Sequence, residues 1–438
     1  MSIKVYATYA KTPTATEPGI LGVKVVADPV VSTRSIHIAL VLDTSGSMEG
    51  NRITSVKNTL NVLIDKMLIG DRITIVGFAS VAKKIASNVV ISDELVRTAL
   101  KEDVAKLTAD GGTNMEAGVS MLGSLFTTTS VTDKPDSIVL LTDGFVNEGI
   151  TSLAGIHSLL NSYLPNLPVC SLGYGDDHNS EFMRGLSMRT SGVYNFIDNE
   201  IALPASIGEL LGALQCEAAK AAVLTLPAGS KCLELGAKPD ATEHGLGSLI
   251  GEKPTWALFS VPATAGNFVL KFKPVGSPDY TSMNVVIDET AIDRIDVVEQ
   301  HLRCITSTAL DNASSHLKAY RIEYAKRAVT EATDLISASE AKDRPMAIRM
   351  KAQLDEMAEE IKGILNGPAH RADFVNLAMR SSGTATRYMQ QRGVNSSGGG
   401  QDDDQLFSTP TLMRRQNAMV AGYSQSVGNE DPHDADMT

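Results

Sequence analysis

Residues 36 to 215 alternate between short apolar runs and segments of helical spacing, and this alternation limits the fold more than any other feature of the chain. Ile36 to Leu42 is a seven-residue run with almost no polar interruption, as in a strand buried on both faces. Within Arg52 to Met67, the residues Val56, Leu60, Leu63 and Met67 recur at helical spacing. The same reading predicts strands at Arg72–Phe78, Lys83–Ile91, Asp136–Leu141, Val169–Gly173 and Val193–Ile197. Helices are predicted at Glu94–Leu107, Asn114–Phe126, Leu153–Tyr163, Ser180–Thr190 and Leu203–Leu214. Strands alternating with helices imply an α/β fold over 35–215, with a doubly wound, mostly parallel sheet covered on both faces.

The flanks have a different pattern. Ile20–Ala27 reads as a strand, as do Ala221–Leu226, Thr255–Val261, Asn267–Lys273 and Met283–Asp288. Phe268, Leu270 and Phe272 alternate with Val269, Lys271 and Lys273, and Gly and Pro punctuate the gaps. Such runs suit an antiparallel β-sandwich over 216–290. Trp256 begins an apolar run and is expected in the sandwich core. The N-terminal strands have no obvious partner of their own, so 1–34 is expected to pair with 216–290, which makes the α/β block an insertion. Residues 291–367 turn helical. Ile322, Ala325, Val329, Ala332 and Ile336 step by three and four, as do Met350, Leu354, Met357, Ile361 and Leu365. Two or three antiparallel helices are expected, with a turn at Asp343 to Pro345 and a stop at Gly367-Pro368. From about Ser381 the chain becomes polar, and 368–438 reads as a mostly flexible tail. The stretch Asn395 to Asp404 has linker composition, and 406–423 is a candidate docking segment.

At 438 residues the chain is long enough for two to four domains. Its net charge of −12 disfavours nucleic acid or anionic membrane as the main partner, because both reward clustered positive charge. No apolar run approaches the roughly 18 residues of a membrane span, and Met1 to Lys11 lacks the basic-then-apolar order of a leader. Cys170, Cys216, Cys232 and Cys304 form no C-x-x-C pair, which argues against zinc. A Cys216–Cys232 bridge is sterically conceivable but not expected without a secretory signal. Together these features predict an intracellular, cytoplasmic protein.

The residues that carry chemistry lie at predicted strand ends. Asp43-Thr44-Ser45-Gly46-Ser47 follows the first α/β strand, Gly111-Gly112-Thr113-Asn114 precedes a helix, and Thr142-Asp143-Gly144 ends a strand. In a doubly wound sheet all three would meet at the carboxyl edge, where such folds bind ligands. Ser45 and Ser47 stand two residues apart, so both hydroxyls can face one point. The donor set of three hydroxyls and two carboxylates consists of hard oxygen ligands, which suits Mg²⁺, Mn²⁺ or Ca²⁺ rather than zinc.

This block resembles a von Willebrand factor type A domain, whose metal-ion-dependent adhesion site has the pattern D-x-S-x-S plus a Thr and an Asp. The similarity covers about 180 residues and includes Gly173 to His178 and the strand from Val193. The resemblance implies that Ser45, Ser47 and Thr113 are hydroxyl ligands. Asp43 and Asp143 would hold the ion through waters, leaving a position open for an Asp or Glu of a protein partner. The layout also resembles intracellular proteins of this type that carry a flanking β-sandwich and C-terminal helices. One such group has a RING finger and ubiquitin-ligase activity, but the scattered cysteines here exclude a RING. The function expected is a metal-dependent adaptor or scaffold. The alternatives are a structural subunit of a larger assembly, or an accessory factor near ligase machinery.

An enzyme is not expected. There is no G-x-S-x-G elbow, no phosphate loop with a Lys and no H-E-x-x-H pair. Gly173-Tyr174-Gly175 lacks the third Gly of a dinucleotide turn, and its loop is acidic. His178 reads as a structural hydrogen-bonding residue, His301 and His316 as ordinary helix residues, and Asp402 to Asp404 as a solvated charge run.

Overall fold

The computed structural model describes residues 2–30, 34–127, 134–175, 178–190, 192–197, 202–288, 290, 292–366, 371–390 and 410–428. The chain divides into two compact units, one of residues 1–31 and 216–409, the other of 32–215 and 410–438.

The chain opens with an antiparallel hairpin of β1 (Ile3–Lys11) and β2 (Gly19–Ala27). It then enters the second unit, where six strands form one sheet. They are β3 (His37–Asp43), β4 (Arg72–Phe78), β5 (Ala82–Val90), β6 (Ser137–Thr142), β7 (Val169–Tyr174) and β8 (Tyr194–Ile197). The order is β5-β4-β3-β6-β7-β8, parallel throughout except for the antiparallel β4–β5 pair. All seven residues of β3 are buried, which is the physical reason for the apolar run from Ile38 to Leu42. Ile38, Leu40 and Leu42 face one core, while Ala39 and Val41 face the other.

The helices of this unit are α1 (Asn51–Lys66), α2 (Glu94–Ala105), α3 (Met115–Phe126), α4 (Leu153–Tyr163), α5 (Ser180–Arg189) and α6 (Ala202–Gln215). Helices α1, α2 and α6 supply the first core; α3, α4 and α5 supply the second. Side-chain caps fix several helix starts: Asp93 accepts from Val96 N, Asn114 from Ala117 N, and Asn179 from Phe182 N. Strand order reverses between β4 and β6 on either side of β3, which places the switch point at the carboxyl ends of β3 and β6.

The first unit resumes with β9 (Glu217–Thr225), β10 (Lys231–Cys232), β11 (Glu243–Ile250), β12 (Thr255–Val261), β13 (Val269–Pro274) and β14 (Thr281–Asn284). Two four-stranded antiparallel sheets result, β1-β2-β12-β10 and β11-β9-β13-β14. Strand β2 pairs with β12 from Val25↔Thr255 to Gly19↔Val261, so residues before and after the α/β block share one sheet. Val23 and Phe259 from one sheet and Leu224, Leu270 and Phe272 from the other belong to one core. Strands β1, β10 and β11 fall outside the expected strand ranges, and the strand expected at Met283–Asp288 is β14, ending at Asn284. In β11 the glycines at 245 and 247 interrupt the apolar alternation and coincide with register shifts.

Trp256 corrects the expectation that it lies in the core between the sheets. It is 1% exposed, but it clusters with Ile292 and Val297 rather than with Ala257 and Phe259. Successive strand residues point to opposite faces, so the neighbours of Ala257 are on the other side of the sheet.

Four helices follow: α7 (Arg294–Lys318), α8 (Ile322–Ala338), α9 (Pro345–Asn366) and α10 (Arg371–Gln390). The stripe Ala325, Val329, Ala332, Ile336 and the stripe Met350, Leu354, Met357, Ile361 are buried in one cluster. Arg303 of α7 is fully buried; it donates to Glu234 Oε1 at 2.7 Å and to the carbonyl of Tyr388 in α10 at 2.7 Å.

Helix α10 and a further helix, α11 (Pro410–Gly428), occupy much of the stretch read as a flexible tail, 368–438. In α10 the buried residues include Leu377 and Tyr388 but also Ala378, Ser381, Ser382 and Ala385, which are small or polar and carry little hydrophobic signal. Ser381 Oγ donates to the Leu310 carbonyl at 2.6 Å, and Ser314 Oγ donates to the Ala378 carbonyl at 2.7 Å. The expected stop at Gly367-Pro368, the linker at 395–404, Asp402 to Asp404 and the first four residues of the 406–423 segment lie outside the described residues. All four cysteines are free thiols.

Candidate metal centre

Strand β3 ends on Asp43, and the backbone turns there into a short 3-10 segment, Gly46–Met48, before α1 begins. Two crossing bonds hold the turn: Thr44 N donates to the Phe78 carbonyl at 2.7 Å, and Gly46 N donates to the Gly111 carbonyl at 3.0 Å. The second bond ties the Ser45–Ser47 loop to the loop bearing Thr113. That loop is fixed in turn by Asn147, whose Oδ1 accepts from Thr113 N at 2.9 Å. Gly111 has φ +78, which a glycine adopts without steric cost.

The five candidate residues meet here. Asp43 Oδ1 accepts from Ser45 N at 2.8 Å, and its Oδ2 accepts from Thr142 Oγ1. Ser45 Oγ and Ser47 Oγ are 3.1 Å apart, and Ser47 Oγ donates to Asp143 Oδ1 at 2.7 Å. A Cβ on Gly144 would lie 3.8 Å from both Ser47 Oγ and Thr113 Oγ1, so the Thr113 hydroxyl faces the same small space. Asp43, Ser45, Thr113 and Asp143 are buried, while Ser47 is exposed and marks the open side.

Two residues were not singled out from the sequence. Thr142 reads in the sequence only as the neighbour of Asp143, yet its hydroxyl engages Asp43. Arg52, in the first turn of α1, donates to Asp143 Oδ2 and lies 6.0 Å from the Tyr174 ring centre. Its place five residues after Ser47, on a helix that starts from the same loop, is the signal that could have found it.

The electrostatics call for positive charge. Burial pushes the Asp43 carboxyl up from its ordinary range, and the nearby Asp143 adds to the rise, against hydrogen bonds from Ser45 and Thr142. Arg52 is one counter-charge for two buried carboxylates. A hard divalent cation fits such an all-oxygen set, with three hydroxyls converging and two carboxylates behind them. Among the described residues there is no group of three or more His, Cys, Asp or Glu placed to hold a metal, so a cation here would depend on the hydroxyls.

His178 is buried and hydrogen-bonded at both nitrogens, to the Gly175 carbonyl and to Tyr194 Oη, each at 2.6 Å. A cavity of about 300 Å³ touches Ile138, His157, Val169 and Arg189. Ile138 and Val169 are at the amino ends of β6 and β7, away from the edge that carries the candidate centre. Among the described residues no helix is long and apolar enough to cross a membrane.

Residues 37–208 match the von Willebrand factor type A domain. An uncharacterized protein of Synechocystis sp. is 30% identical over 193 residues, which are 43% of this chain and 44% of that one. Inter-alpha-trypsin inhibitor heavy chain H1 of Mesocricetus auratus is 27% identical over 168 residues, 37% of this chain and 18% of its own. The chain therefore spans less than half the length of these curated relatives. Among solved structures, a von Willebrand factor type A protein from Catenulispora acidiphila has a TM-score of 0.61 at 17% identity, covering 86% of this chain and 96% of that one. The ArnB paralog VWA2 from Sulfolobus acidocaldarius has a TM-score of 0.50 at 18% identity, covering 89% and 98%. These structures share the fold.

Proposed function

We propose, starting from the von Willebrand factor type A domain that residues 37–208 form, that this chain is a metal-dependent protein-interaction module. Domains of this family are generally protein-interaction modules, and some depend on a metal. The observation that carries the reading is the convergence of the Ser45, Ser47 and Thr113 hydroxyls in front of two buried carboxylates. Ser45, Ser47 and Thr113 would hold Mg²⁺, Mn²⁺ or Ca²⁺ directly. Asp43 fixes the Ser45 backbone, and Asp143 orients Ser47; both would act on the ion through water. When bound, the ion supplies an open coordination position that a carboxylate can fill. Ser47, on the exposed side, marks where an Asp or Glu of a partner protein would enter. Replacing one water by a carboxylate is modest in energy, so the surrounding surface must supply affinity and choice of partner. We place this role in an adaptor or scaffold inside the cell.

The same geometry argues against catalysis. Both oxygens of Asp43 and both of Asp143 accept hydrogen bonds from this chain, and we assign their remaining lone pairs to the ion's waters rather than to a substrate proton.

Mn²⁺ titration followed by electron paramagnetic resonance tests the ion site. Wild type should bind one Mn²⁺ that Mg²⁺ displaces, and Ser45→Ala and Asp43→Ala, checked for folding by circular dichroism, should lose it. A paired pull-down from native extract then tests the role, with wild type and Asp43→Ala baits in Mg²⁺ and in EDTA. Partners retained under all four conditions would remove the ion from recognition. Turnover that disappears in Ser45→Ala would overturn the non-enzymatic reading.

A further inference from the structure

The residue after Gly144 is Phe145, and its side chain is 52% exposed. A single exposed apolar residue is ordinary on a protein surface. What sets Phe145 apart is the frame that holds it. Before it, Ser47 Oγ donates to Asp143 Oδ1 at 2.7 Å, and Gly144 N donates to Thr142 Oγ1 at 3.3 Å. After it, Asn147 N and Glu148 N donate to the Thr113 carbonyl at 3.1 and 3.3 Å, and Ile150 N donates to Glu116 Oε2 at 2.8 Å. Val146 packs against the core supplied by α3, α4 and α5. Phe145 therefore stands outward on a braced loop, and the residues that brace it are those of the candidate centre or their neighbours. It is also close to the ion position. A Cβ on Gly144 would lie 3.8 Å from Ser47 Oγ and Thr113 Oγ1. With consecutive Cα atoms about 3.8 Å apart, the Phe145 Cα is no more than about 9 Å from those hydroxyls.

We propose that Phe145 is a specificity-determining contact of this centre. It selects an extended segment in which the Asp or Glu that reaches the ion has an aliphatic or aromatic residue two positions away. This rests on the reading of the centre as an ion bridge to a partner carboxylate. The spacing follows from strand geometry. An extended chain rises about 3.3 Å per residue and alternates its faces, so second neighbours stand roughly 7 Å apart on one side. A first neighbour points away, and so does a third. Covering the ring with an apolar side chain adds affinity beyond the exchange of a water for a carboxylate. The braced loop presents the ring already placed, so little order is lost on contact.

The experiment uses the full chain loaded with Mn²⁺ and three capped pentapeptides, Leu-Ser-Glu-Ser-Leu, Ser-Ser-Glu-Ser-Ser and Leu-Ser-Gln-Ser-Leu. Leucine at both second neighbours covers either chain direction. Broadening of the peptide proton resonances by bound Mn²⁺ reports binding at the ion. The first peptide should bind at least about fivefold more tightly than the second, and the Gln peptide roughly tenfold more weakly than the first. Phe145→Ala should bring the two Glu peptides to equal affinity, while Phe145→Tyr, which keeps the ring, should preserve the difference. Mn²⁺ titration of Phe145→Ala by electron paramagnetic resonance separates loss of the contact from loss of the ion. A variant that no longer holds Mn²⁺ would make Phe145 part of the ion site and overturn the assignment. Equal affinity of the two Glu peptides for wild type, or a leucine preference that survives Phe145→Ala, overturns this inference and leaves the ion bridge standing. Equal broadening of the Glu and Gln peptides overturns the bridge, and this inference with it.

Discussion

The guanidinium of Arg52 rests on the carboxylate of Asp143, one helical turn after the loop that carries Ser45 and Ser47. The Asp143 side chain is wholly buried and the Arg52 side chain 31% exposed, so the ion pair faces solvent only on its cationic side. Arg52→Ala should destabilise the EDTA-treated protein by about 1–3 kcal/mol, because Asp143 loses a charged partner in a buried place. It should also enlarge the stabilisation produced by Mg²⁺, since a fixed positive charge beside the ion has gone. Urea unfolding with EDTA and with Mg²⁺ measures both effects. Equal Mg²⁺ stabilisation in variant and wild type would show that Arg52 and the ion do not share Asp143.

Arg303 and Glu234 set a second test, in the first unit. Their side chains are 0% and 1% exposed, and the guanidinium also bonds Gln300 and the Tyr388 carbonyl. Glu234→Gln removes the Glu234 charge from a buried guanidinium and should cost about 3–5 kcal/mol in chemical denaturation. Replacing both partners, Glu234→Leu with Arg303→Met, should cost less than either single change. A double variant as unstable as the sum of the singles would mean the pair is not coupled.

Glu299 supplies a pH dependence whose sign can be worked out. Burial, with the neighbouring charge of Asp296, pushes its carboxyl above the ordinary range, against the pull of Arg344. The folded chain thus keeps this proton to higher pH than the unfolded chain does. The contribution to stability is greatest below the unfolded value near 4.5 and is lost as pH rises from there through the folded value. Glu299→Gln should flatten that part of the stability-versus-pH curve and stabilise the protein at neutral pH. An unchanged slope between pH 4 and 7 would sink the assignment.

Much of the second unit was legible in the sequence because its strands are buried on both faces and its helices show clear stripes. Asp43, Ser45, Ser47, Thr113 and Asp143 could be named because each stands at a strand end or beside a helix start. Arg52 was harder to name, since an arginine in a first helical turn reads as solvated unless its place five residues after Ser47 is weighed. Helix α10 was hidden for a different reason. Ala378, Ser381 and Ala385 let two helices approach closely, and a hydrophobic pattern does not register small residues. Among the described residues of α11, Met419 and Tyr423 join the core, and their spacing was enough to suggest docking but not its site. Trp256 was assigned burial correctly and its face incorrectly, because strand parity is invisible until register is known.

Gly123 tests the packing of α3 on α4. Replacing an interior helix glycine by alanine usually stabilises by about 1 kcal/mol. Here a Cβ would stand 2.3 Å from Tyr163 Cγ. Gly123→Ala should therefore reverse the usual sign and destabilise by about 1–3 kcal/mol. A higher melting temperature in the variant would show that the Tyr163 ring moves aside at little cost.

The pairing of β2 with β12 also sets a schedule for synthesis. The hairpin β1–β2 leaves the ribosome with one edge waiting, and Val25 meets Thr255 only after roughly 230 further residues, some tens of seconds at ordinary elongation rates. During that interval the α/β block can fold on its own strands, while the nascent hairpin carries an unpaired apolar edge. The first strands made are thus among the last to be completed. A ribosome that pauses before residue 255 would hold the chain in the state most open to wrong partners.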